Sequence, residues 1–543
     1  NSTVFFIFYV LAPKIKIQPV KGDGAPETKM ADTTMTDKLA PMAVETSTVD
    51  VAQNNVNMYA NIKAGHAAQV LQVLEDHTYE LQDGELQNVL LKKEVRDLPV
   101  VVVSVAGAYR LGKSFLLNFF LRYLTSPLPT RQDGSWLAEN SEKLTGFSWR
   151  TGSVRNTTGI LMWSEPVAII LMDTQGTFDN ESTVRDCSTI FALSTLLSSV
   201  QIYNLSGNIK EDDMQHLQLF TDYGKLARNE STTKPFQVLE FLVRDWPYYW
   251  EYAYGAEGGE GLLRTKLQKT PQEIKELRKQ LRSSFETISA FLLPHPGYKV
   301  TRPDFTGNIN DLEPEFRIYL IQLVESIFSP NKLMVKMING EKVKSRDLYT
   351  YFKTYMTLFN SDDLPLPKNI MEATITASLL SSKDEAREVY TNGMDAECGP
   401  DQPSVPAIDL QELHRKYMTS ARTVFLERKK MGSPEVINKY FQDLIKELDE
   451  HLPQYEQNNN GKFQITIKKA TEAYEEQINN ATNGKLICLH PLDLEHFHKE
   501  GVEVAMKLFD ANRKIITSTK DEERIQFEHV HQFKEKLITV IIL

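Results

Sequence analysis

Residues 100–124, VVVVSVAGAYRLGKSFLLNFFLRYL, decide the fold of the first half of this chain of 543 residues. The run 100–106 is continuous and β-branched, which is typical of a strand buried on both faces of a parallel sheet. Residues 107–114 match the pattern GxxxxGK[ST], and the apolar run 115–124 predicts a helix. A strand, a glycine-bearing loop with this spacing and a helix together indicate a phosphate-binding loop.

The loop supplies the groups that bind a nucleoside triphosphate. Its glycines let backbone N–H groups point at the phosphates, and the N-terminus of the next helix adds positive potential. Lys113 is placed to reach the β- and γ-phosphates, and the Ser114 hydroxyl to bind Mg²⁺. The nucleotide contacts predicted here are Gly107, Ala108, Tyr109, Arg110, Leu111, Gly112, Lys113, Ser114 and Phe115.

The same strand signature recurs at 168–172, 200–205 and 238–243, with amphipathic stretches between the runs. Strands that alternate with helices predict an α/β domain with a mixed, mostly parallel sheet. We assign 1–66 to a flexible leader, 67–348 to this domain and 349–367 to a linker or hinge. An α-helical bundle follows over 368–452, and an additional helical, repeat-like segment over 460–543.

Two further motifs follow predicted strands. Asp173, at the end of the strand 168–172, is placed to hold the water shell of Mg²⁺, and Gly176 to present its N–H to the γ-phosphate. Between this motif and the loop, the polar segment 150–159 is typical of a switch that folds onto phosphate. Arg244 and Asp245 end the strand 238–243, where a carboxylate accepts hydrogen bonds from guanine. Taken alone, such a pair is more often a surface ion pair, and no NKxD motif accompanies it.

Composition excludes several classes of protein. Lys and Arg number 61 against 72 Asp and Glu, a net charge of −11, which argues against general nucleic-acid binding. The chain has 3 cysteines without a CxxC pair, so a disulfide framework or zinc module is not expected. The apolar runs 4–12 and 537–543 are shorter than the ~20 residues that span a bilayer, so no transmembrane span is predicted.

The second half is predicted to be helical. The sequence LPLP at 364–367 should break a helix and indicates a hinge. Leu410, Leu413, Tyr417, Ala421 and Val424 share one helix face. A weak repeat appears, because residues 390, 409, 410, 414, 421, 425 and 430 recur in type 84 positions later. Chance matching of amphipathic helices and a duplicated helical unit both explain it.

These motifs together resemble the atlastins, dynamin-like GTPases that fuse membranes of the endoplasmic reticulum. The resemblance covers about residues 67–450. It is carried by the stretches 104–124, 145–165 (TGFSWRTGSVRNTTGILMWSE), 171–186 (LMDTQGTFDNESTVRD), 198–227, 241–259 (FLVRDWPYYWEYAYGAEGG) and 292–300 (LLPHPGYKV). The guanylate-binding proteins share the loop and the Arg-Asp pair but are less similar in the other motifs.

The resemblance implies roles for single residues. Arg110 matches the arginine finger of the family, and Thr157 the switch threonine that coordinates Mg²⁺ and orients water, with Thr158 as the alternative. Arg244 and Asp245 match the pair that reads guanine. The catalytic residues implied are Arg110, Lys113 and Thr157, and the Mg²⁺ ligands are Ser114, Thr157 and Asp173.

The resemblance also implies partners and a location. They are GTP and GDP, a homodimer in the GTP-bound or transition state, and the cytosolic face of the endoplasmic reticulum membrane or membrane-anchored relatives. No nucleic acid is expected. Two features depart from the family: the hairpin 163–168 is short, which should alter the sheet edge, and the paired membrane segments are missing. Two alternatives therefore stay open, a soluble GTPase scaffold of the guanylate-binding type and a non-catalytic binder of family members.

Overall fold

In the computed structural model the chain divides into two compact units, with the boundary between Thr374 and Ile375. The residues that the structure describes are 66–132, 134–137, 143–149, 157, 160–163, 169–176, 183–230, 233–268, 279–360, 365–481, 490–512 and 514. The predicted leader 1–66 lies outside these residues except for its last position. Within the described part, no helix has both the length and the apolar character needed to cross a bilayer.

An eight-stranded sheet organises the first unit, in the order β2-β1-β4-β5-β3-β6-β7-β8. The five strands β5, β3, β6, β7 and β8 are parallel, whereas β4 and β1 add antiparallel neighbours at one side. The mixed, mostly parallel sheet expected from the sequence is therefore confirmed. The strands are β1 Ala67–Val73, β2 Tyr79–Leu81, β3 Val101–Gly107, β4 Ile160–Trp163, β5 Ile169–Thr174, β6 Val200–Ser206, β7 Phe236–Arg244 and β8 Phe285–Leu292.

Helices cover the sheet, which explains why β3 and β5 are buried at every position. Val101, Val103 and Val105 of β3 pack against the aromatic helix α2 and against α8, and α4 contacts β3 and β5. The helices are α1 Asp83–Leu90, α2 Lys113–Thr125, α3 Leu128–Gln132, α4 Val184–Leu197, α5 Glu211–Gln215, α6 Gln218–Glu230, α7 Gly255–Gln268, α8 Pro314–Phe328 and α9 Ser345–Phe359. A small hairpin pairs β9 Met337–Ile338 with β10 Glu341–Lys342.

The short hairpin before Asp173 leaves the pairing of its two strands in register. Ile160 pairs with Thr174 and Met162 with Met172, while β1 continues the sheet beyond β4. Residues 164–168 are outside the described part. The effect expected at the sheet edge therefore stays a prediction.

Most of the segment assigned to a linker at 349–367 is helical. Residues 345–359 form α9, whose Tyr351, Phe352 and Tyr355 are fully buried in the first unit. The apolar spacing of α9 places one stripe against the core, so this stretch belongs to the folded unit. Thr374 also packs within the first unit: its hydroxyl lies 3.1 Å from the Tyr223 hydroxyl and 3.0 Å from the Tyr355 hydroxyl.

Four helices form the described part of the second unit, and the first of them begins in the first unit. They are α10 Pro367–Cys398, α11 Ala407–Glu427, α12 Pro434–Ala481 and α13 Pro491–Ala511. Pro367 stands at the first position of α10, where its missing N–H costs no hydrogen bond. By contrast, α12 continues through Pro453 and so crosses the boundary at 452–460 that the sequence indicated.

The two parts of the second unit repeat one contact. The Tyr390 hydroxyl lies 2.9 Å from His414 Nδ1, and the Tyr474 hydroxyl lies 3.0 Å from His498 Nδ1. Both tyrosine–histidine pairs meet edge to face, at 5.6 and 5.8 Å between ring centroids. The 84-residue offset seen in the sequence therefore corresponds to a repeated packing arrangement.

Candidate nucleotide-binding site

The phosphate-binding loop connects the carboxyl end of β3 to the first turn of α2. Gly112 precedes the helix in the left-handed conformation (φ 68°), which favours glycine. A Cβ on Gly112 would overlap the Arg244 guanidinium, and one on Gly176 would overlap the backbone of Tyr109. Glycine at these two positions therefore lets three chain segments approach one another closely.

Three side chains that the sequence assigns to Mg²⁺ are in mutual contact. Ser114 donates a hydrogen bond of 2.6 Å to Asp173 Oδ2, and Thr157 donates one of 3.0 Å to the same oxygen. The two hydroxyls lie 3.3 Å apart. The start of α2, the end of β5 and Thr157 thus meet at one point.

The chemistry of these donors fits a magnesium ion. Asp173 is fully buried, and its Oδ1 has no hydrogen-bond partner among the described residues. Burial raises the pKa of Asp173, against the hydrogen bond from Ser114, the charge of Lys113 and the hydrogen bond from Thr157. A carboxylate oxygen and two hydroxyls suit Mg²⁺, which takes one or two protein carboxylates and keeps several waters. No group of three or more His, Cys, Asp or Glu side chains arranged for a metal occurs in the described ranges.

Lys113 brings positive charge to the centre of the loop. The side chain is buried, and its Nζ donates to the carbonyls of Gly107 and Ala108 at 3.2 and 3.1 Å. Its backbone begins α2, whose N-terminal N–H groups also face the loop. A bound phosphate would therefore meet an ammonium group and a helix N-terminus together.

Arg244 and Asp245 lie beside the loop at the end of β7. Arg244 is buried, its Nη1 donates to the carbonyl of Leu111, and burial lowers its pKa. Asp245 has φ 55°, and its buried Oδ1 has no hydrogen-bond partner within the part of the chain that the structure describes. A buried acceptor without a donor suits a ligand that brings N–H groups, as guanine does.

A cavity of about 370 Å³ joins these groups. This volume lies in the ordinary range for small-molecule sites. The predicted residues Tyr109, Arg110, Leu111, Gly112, Lys113, Ser114, Phe115, Thr157, Gly176, Arg244 and Asp245 all line it. Gly107, Ala108 and Asp173 do not line it; they hold Lys113, Ser114 and Thr157 in place from behind. Of the switch segment 150–159, only Thr157 is described, so Thr158 as the alternative ligand lies outside the described residues.

Six lining residues were not predicted as site residues. They are Trp149, Thr174, His295, Pro296, Val300 and Thr301. Residues 295–301 follow β8, so the rule that ligands bind at the carboxyl ends of parallel strands could have identified them. Trp149 precedes the switch segment and packs on Phe115 at 5.3 Å between centroids. No sequence signal places that tryptophan at the cavity.

Known proteins similar to this chain support the same interpretation. A sequence profile for the N-terminal domain of guanylate-binding protein matches residues 76–337. Atlastin of Drosophila melanogaster is 46% identical over 412 residues, covering 73% of this chain and 76% of that protein. Atlastin-1 of Mus musculus is 46% identical over 414 residues, covering 74% and 73%. Atlastin-2 of Homo sapiens is 45% identical over 402 residues, covering 72% and 68%.

Among solved structures, the GTP-bound Ski7 GTPase-like domain of S. cerevisiae is 17% identical with a TM-score of 0.19, covering 41% of this chain and 50% of that one. A likeness that low supports no conclusion about this chain. The three atlastins do support a conclusion about this chain, because their sequence identity to it is high and extends over most of both sequences. This chain belongs to the atlastin family and is a dynamin-like GTPase.

Proposed function

We propose that this chain hydrolyses GTP to GDP with Mg²⁺, and that nucleotide-controlled dimerisation lets it tether or fuse membranes of the endoplasmic reticulum from their cytosolic face. The observation that carries the proposal is the meeting of Ser114, Thr157 and Asp173 beside a cavity that Arg244 and Asp245 also line. One cavity therefore offers groups for both the phosphates and the base.

The phosphate end works by positioning and electrostatics. Lys113 and the N–H groups of the loop would hold the β- and γ-phosphates, and the N–H of Gly176 would contact the γ-phosphate. Ser114, Thr157 and Asp173 would hold Mg²⁺, which supplies charge neutralisation on the phosphate oxygens. Thr157 would in addition orient the water that attacks the γ-phosphate.

The base end would select guanine. The Asp245 carboxylate would accept hydrogen bonds from the ring N–H and the exocyclic amine of guanine, whereas adenine offers no donor pair of that geometry. Arg244 would keep the Arg244–Asp245 pair in place, since its guanidinium donates a hydrogen bond to the carbonyl of Leu111. The base pocket and the phosphate loop are thereby fixed to each other.

Dimerisation would complete the catalytic site. Arg110 lies on the cavity with φ 64°, a strained backbone for a residue other than glycine. In this proposal its guanidinium turns onto the β–γ bridge when two GTPase units meet, an effect worth roughly 10³–10⁵ in rate for arginine fingers. Membranes are drawn together as paired GTPase units form and the helical bundles cross over.

The test compares turnover of GTP and ATP by the wild type, Lys113→Ala and Arg110→Ala, with Lys342→Ala as a control on the exposed strand β10. Lys113→Ala should abolish nucleotide binding. Arg110→Ala should retain binding but lose rate, and should stay monomeric in gel filtration with GDP and a transition-state mimic of phosphate. Equal turnover in all four proteins would overturn the mechanism.

Membrane action needs a separate measurement. Vesicles carrying the chain through a terminal His-tag should cluster with GTP and Mg²⁺ but not with GDP, and Arg110→Ala should not cluster them. A second candidate, a scaffold of the guanylate-binding type, is favoured by the profile matched over residues 76–337. GMP as a product besides GDP, without vesicle clustering, would select that candidate.

A further inference from the structure

One tryptophan in the wall of the nucleotide cavity has no part in the contacts proposed above for the phosphates and the base. Trp149 lines the cavity and is partly buried against the hydrophobic core of the first unit. Its indole packs edge to face on Phe115, with 5.3 Å between the ring centroids, and on Phe305 at 5.5 Å. Phe115 and Phe305 are themselves 6.0 Å apart. The indole is therefore held between two phenylalanine rings.

These two phenylalanines lie at different ends of the cavity. Phe115 directly follows the phosphate-binding loop, so it marks the phosphate end. Phe305 follows the segment 295–301, which starts beside the base end, because the N–H of Trp246 donates to the carbonyl of Leu293 at 3.1 Å. In a nucleotide the ribose joins the base to the phosphates. A ring between the two ends of the cavity is therefore placed to meet the ribose.

The backbone before Trp149 is held by a buried asparagine of α2. Asn118 is fully buried, its Nδ2 donates to the carbonyl of Phe147 at 2.9 Å, and its Oδ1 accepts the Phe147 N–H at 2.7 Å. Gly146 has φ 132°, and a Cβ there would overlap Asn118 Oδ1. One amide that bonds both backbone groups of a residue fixes its orientation. The helix that begins with Lys113 thus also sets where Trp149 stands, two residues further along the chain.

A second attachment holds the same segment from the other side. The N–H of Leu144 donates to the carbonyl of Gly307 at 3.1 Å. A Cβ on Gly307 would come within 3.2 Å of Cζ2 of Trp149, so glycine there lets the indole lie close to the backbone. The segment 144–149 is therefore fixed both to α2 and to the chain after Phe305.

We propose that Trp149 contacts the ribose of the bound nucleotide and that Asn118 is the positioning residue that holds the indole there. This inference rests on the proposed function, because it takes a guanine nucleotide as the ligand of the cavity. An aromatic ring packs on the C–H groups of a sugar and excludes water from them. The ribose takes no part in cleavage of the β–γ bond, so the contact is equal in the ground state and the transition state. It should lower KM and leave kcat unchanged.

Calorimetric titration with GDP and Mg²⁺ measures this contact without any hydrolysis. Trp149→Leu should raise Kd for GDP by ~10-fold, the factor that corresponds to a good aromatic contact. Trp149→Phe keeps a ring and should lie between this variant and the wild type. Trp250→Leu removes an exposed indole that does not line the cavity, and should bind as the wild type does. With GTP as substrate, Trp149→Leu should raise KM by a similar factor at unchanged kcat.

Two comparisons separate the ribose contact from base reading and from general damage. The ratio of the affinities for GDP and IDP should be the same in Trp149→Leu and the wild type, because the amine that inosine lacks is read by Asp245. Asn118→Leu should also raise Kd, and the double variant should bind no worse than Trp149→Leu, since Asn118 acts through that ring. Gly146→Ala, which displaces the same segment from Asn118, is the second variant should Asn118→Leu not fold by thermal unfolding.

Each outcome decides a part of the proposal. Wild-type affinity for GDP in Trp149→Leu would overturn the ribose contact, as would a changed ratio for GDP and IDP or a fall in kcat at unchanged KM. Additive losses in the double variant would overturn the positioning role of Asn118. A wild type that does not turn over GTP, with GDP binding weakened as expected in Trp149→Leu, would instead refute the proposed function and leave the ribose contact standing.

Discussion

Ser114 donates a 2.6 Å hydrogen bond to Asp173 Oδ2, and this contact joins the start of α2 to the end of β5. Thr157 bonds the same oxygen, so two hydroxyls depend on one carboxylate. The other oxygen, Oδ1, is buried without a partner among the described residues. Oδ2 of Asp173 thus positions the two hydroxyls, and Oδ1 is available to a ligand.

Replacing Asp173 should therefore abolish the dependence of turnover on magnesium. Asp173→Asn keeps the shape of the side chain but removes its charge, and turnover of GTP should fall about 10²-fold or more. Turnover is measured across a titration of MgCl₂, with thermal unfolding as a check on folding. Asp401→Asn, at an exposed position of the second unit, should match the wild type. A magnesium titration of Asp173→Asn that superimposes on that of the wild type would contradict this role.

Gly176→Ala should impair the site through crowding alone. Its new methyl group would overlap the backbone of Tyr109, so the loop after β5 and the phosphate-binding loop must separate. We expect a loss of turnover of at least ~10-fold, since such misplacement of reacting groups costs up to about 10²-fold. Gly84→Ala is the matched control, because a Cβ there meets no atom within 4 Å. If both variants turn over GTP equally, the close approach has no catalytic importance.

Asp245→Asn should change which base is bound. The amide NH₂ can donate to the second carbonyl of xanthine, whereas it no longer offers the charged acceptor that guanine needs. Affinity for GTP should fall by about 10- to 100-fold, the equivalent of one charge-assisted hydrogen bond, and affinity for XTP should rise. Competition against a fluorescent nucleotide measures both. Asp212→Asn, at an exposed position of α5, should leave both affinities as they are, and unchanged preference in Asp245→Asn would exclude this residue from base reading.

Glu240 should make stability fall as pH rises. Its carboxyl on β7 accepts a hydrogen bond from Ser289 of β8, and burial raises its pKa to about 7. The folded protein therefore holds this proton more tightly than the unfolded chain, and the free energy of unfolding decreases between about pH 4.5 and pH 7.

Glu240→Gln should accordingly be more stable than the wild type at pH 8, by ~1–3 kcal/mol, and equal to it near pH 4. Chemical denaturation at the two pH values gives the difference. Glu286→Gln, at an exposed position of β8, should show no pH-dependent difference from the wild type. A gain for Glu240→Gln that is the same at both pH values would show that the proton is not responsible.

The central strands could be predicted from the sequence because they are buried on both faces. Continuous apolar runs gave β3, β6 and β7 within a residue or two of their ends, and the loop motif gave the start of α2. The antiparallel strands β1, β2 and β4 were not predicted. β2 has only 3 residues, and the apolar residues of β1 are interrupted by Gln69 and Gln72. β4 is apolar throughout but only 4 residues long, so its run alone does not predict a strand.

The phosphate end of the site was predictable, whereas the full cavity wall was not. A phosphate-binding loop is contiguous in sequence, so its pattern specifies its own chemistry. His295 and Val300 come from a loop after β8 and join the cavity only because the parallel order brings that strand end to the same edge. Such a contact depends on strand order, which local sequence does not encode.

Helix boundaries in the second half were the least predictable. Pro453 should end a helix by local rules, because it removes one hydrogen bond and crowds the preceding turn. It stands inside α12 nonetheless, between Leu448 and Phe463, which are buried in two successive hydrophobic clusters of the second unit. Packing on both sides of the proline outweighs a local cost of about 3 kcal/mol.

The continuity of α12 has a mechanical consequence. Its 48 residues amount to a rod of about 70 Å at the usual rise per residue. A hinge requires residues whose backbone dihedral angles can change. Inside a packed helix such as α12, the residues near Pro453 are the ones where this can occur. A rotation of the helix at Pro434 is therefore transmitted along its axis to Ala481. A substitution at Pro453 that changes the flexibility of the helix would change how much of that rotation reaches Ala481.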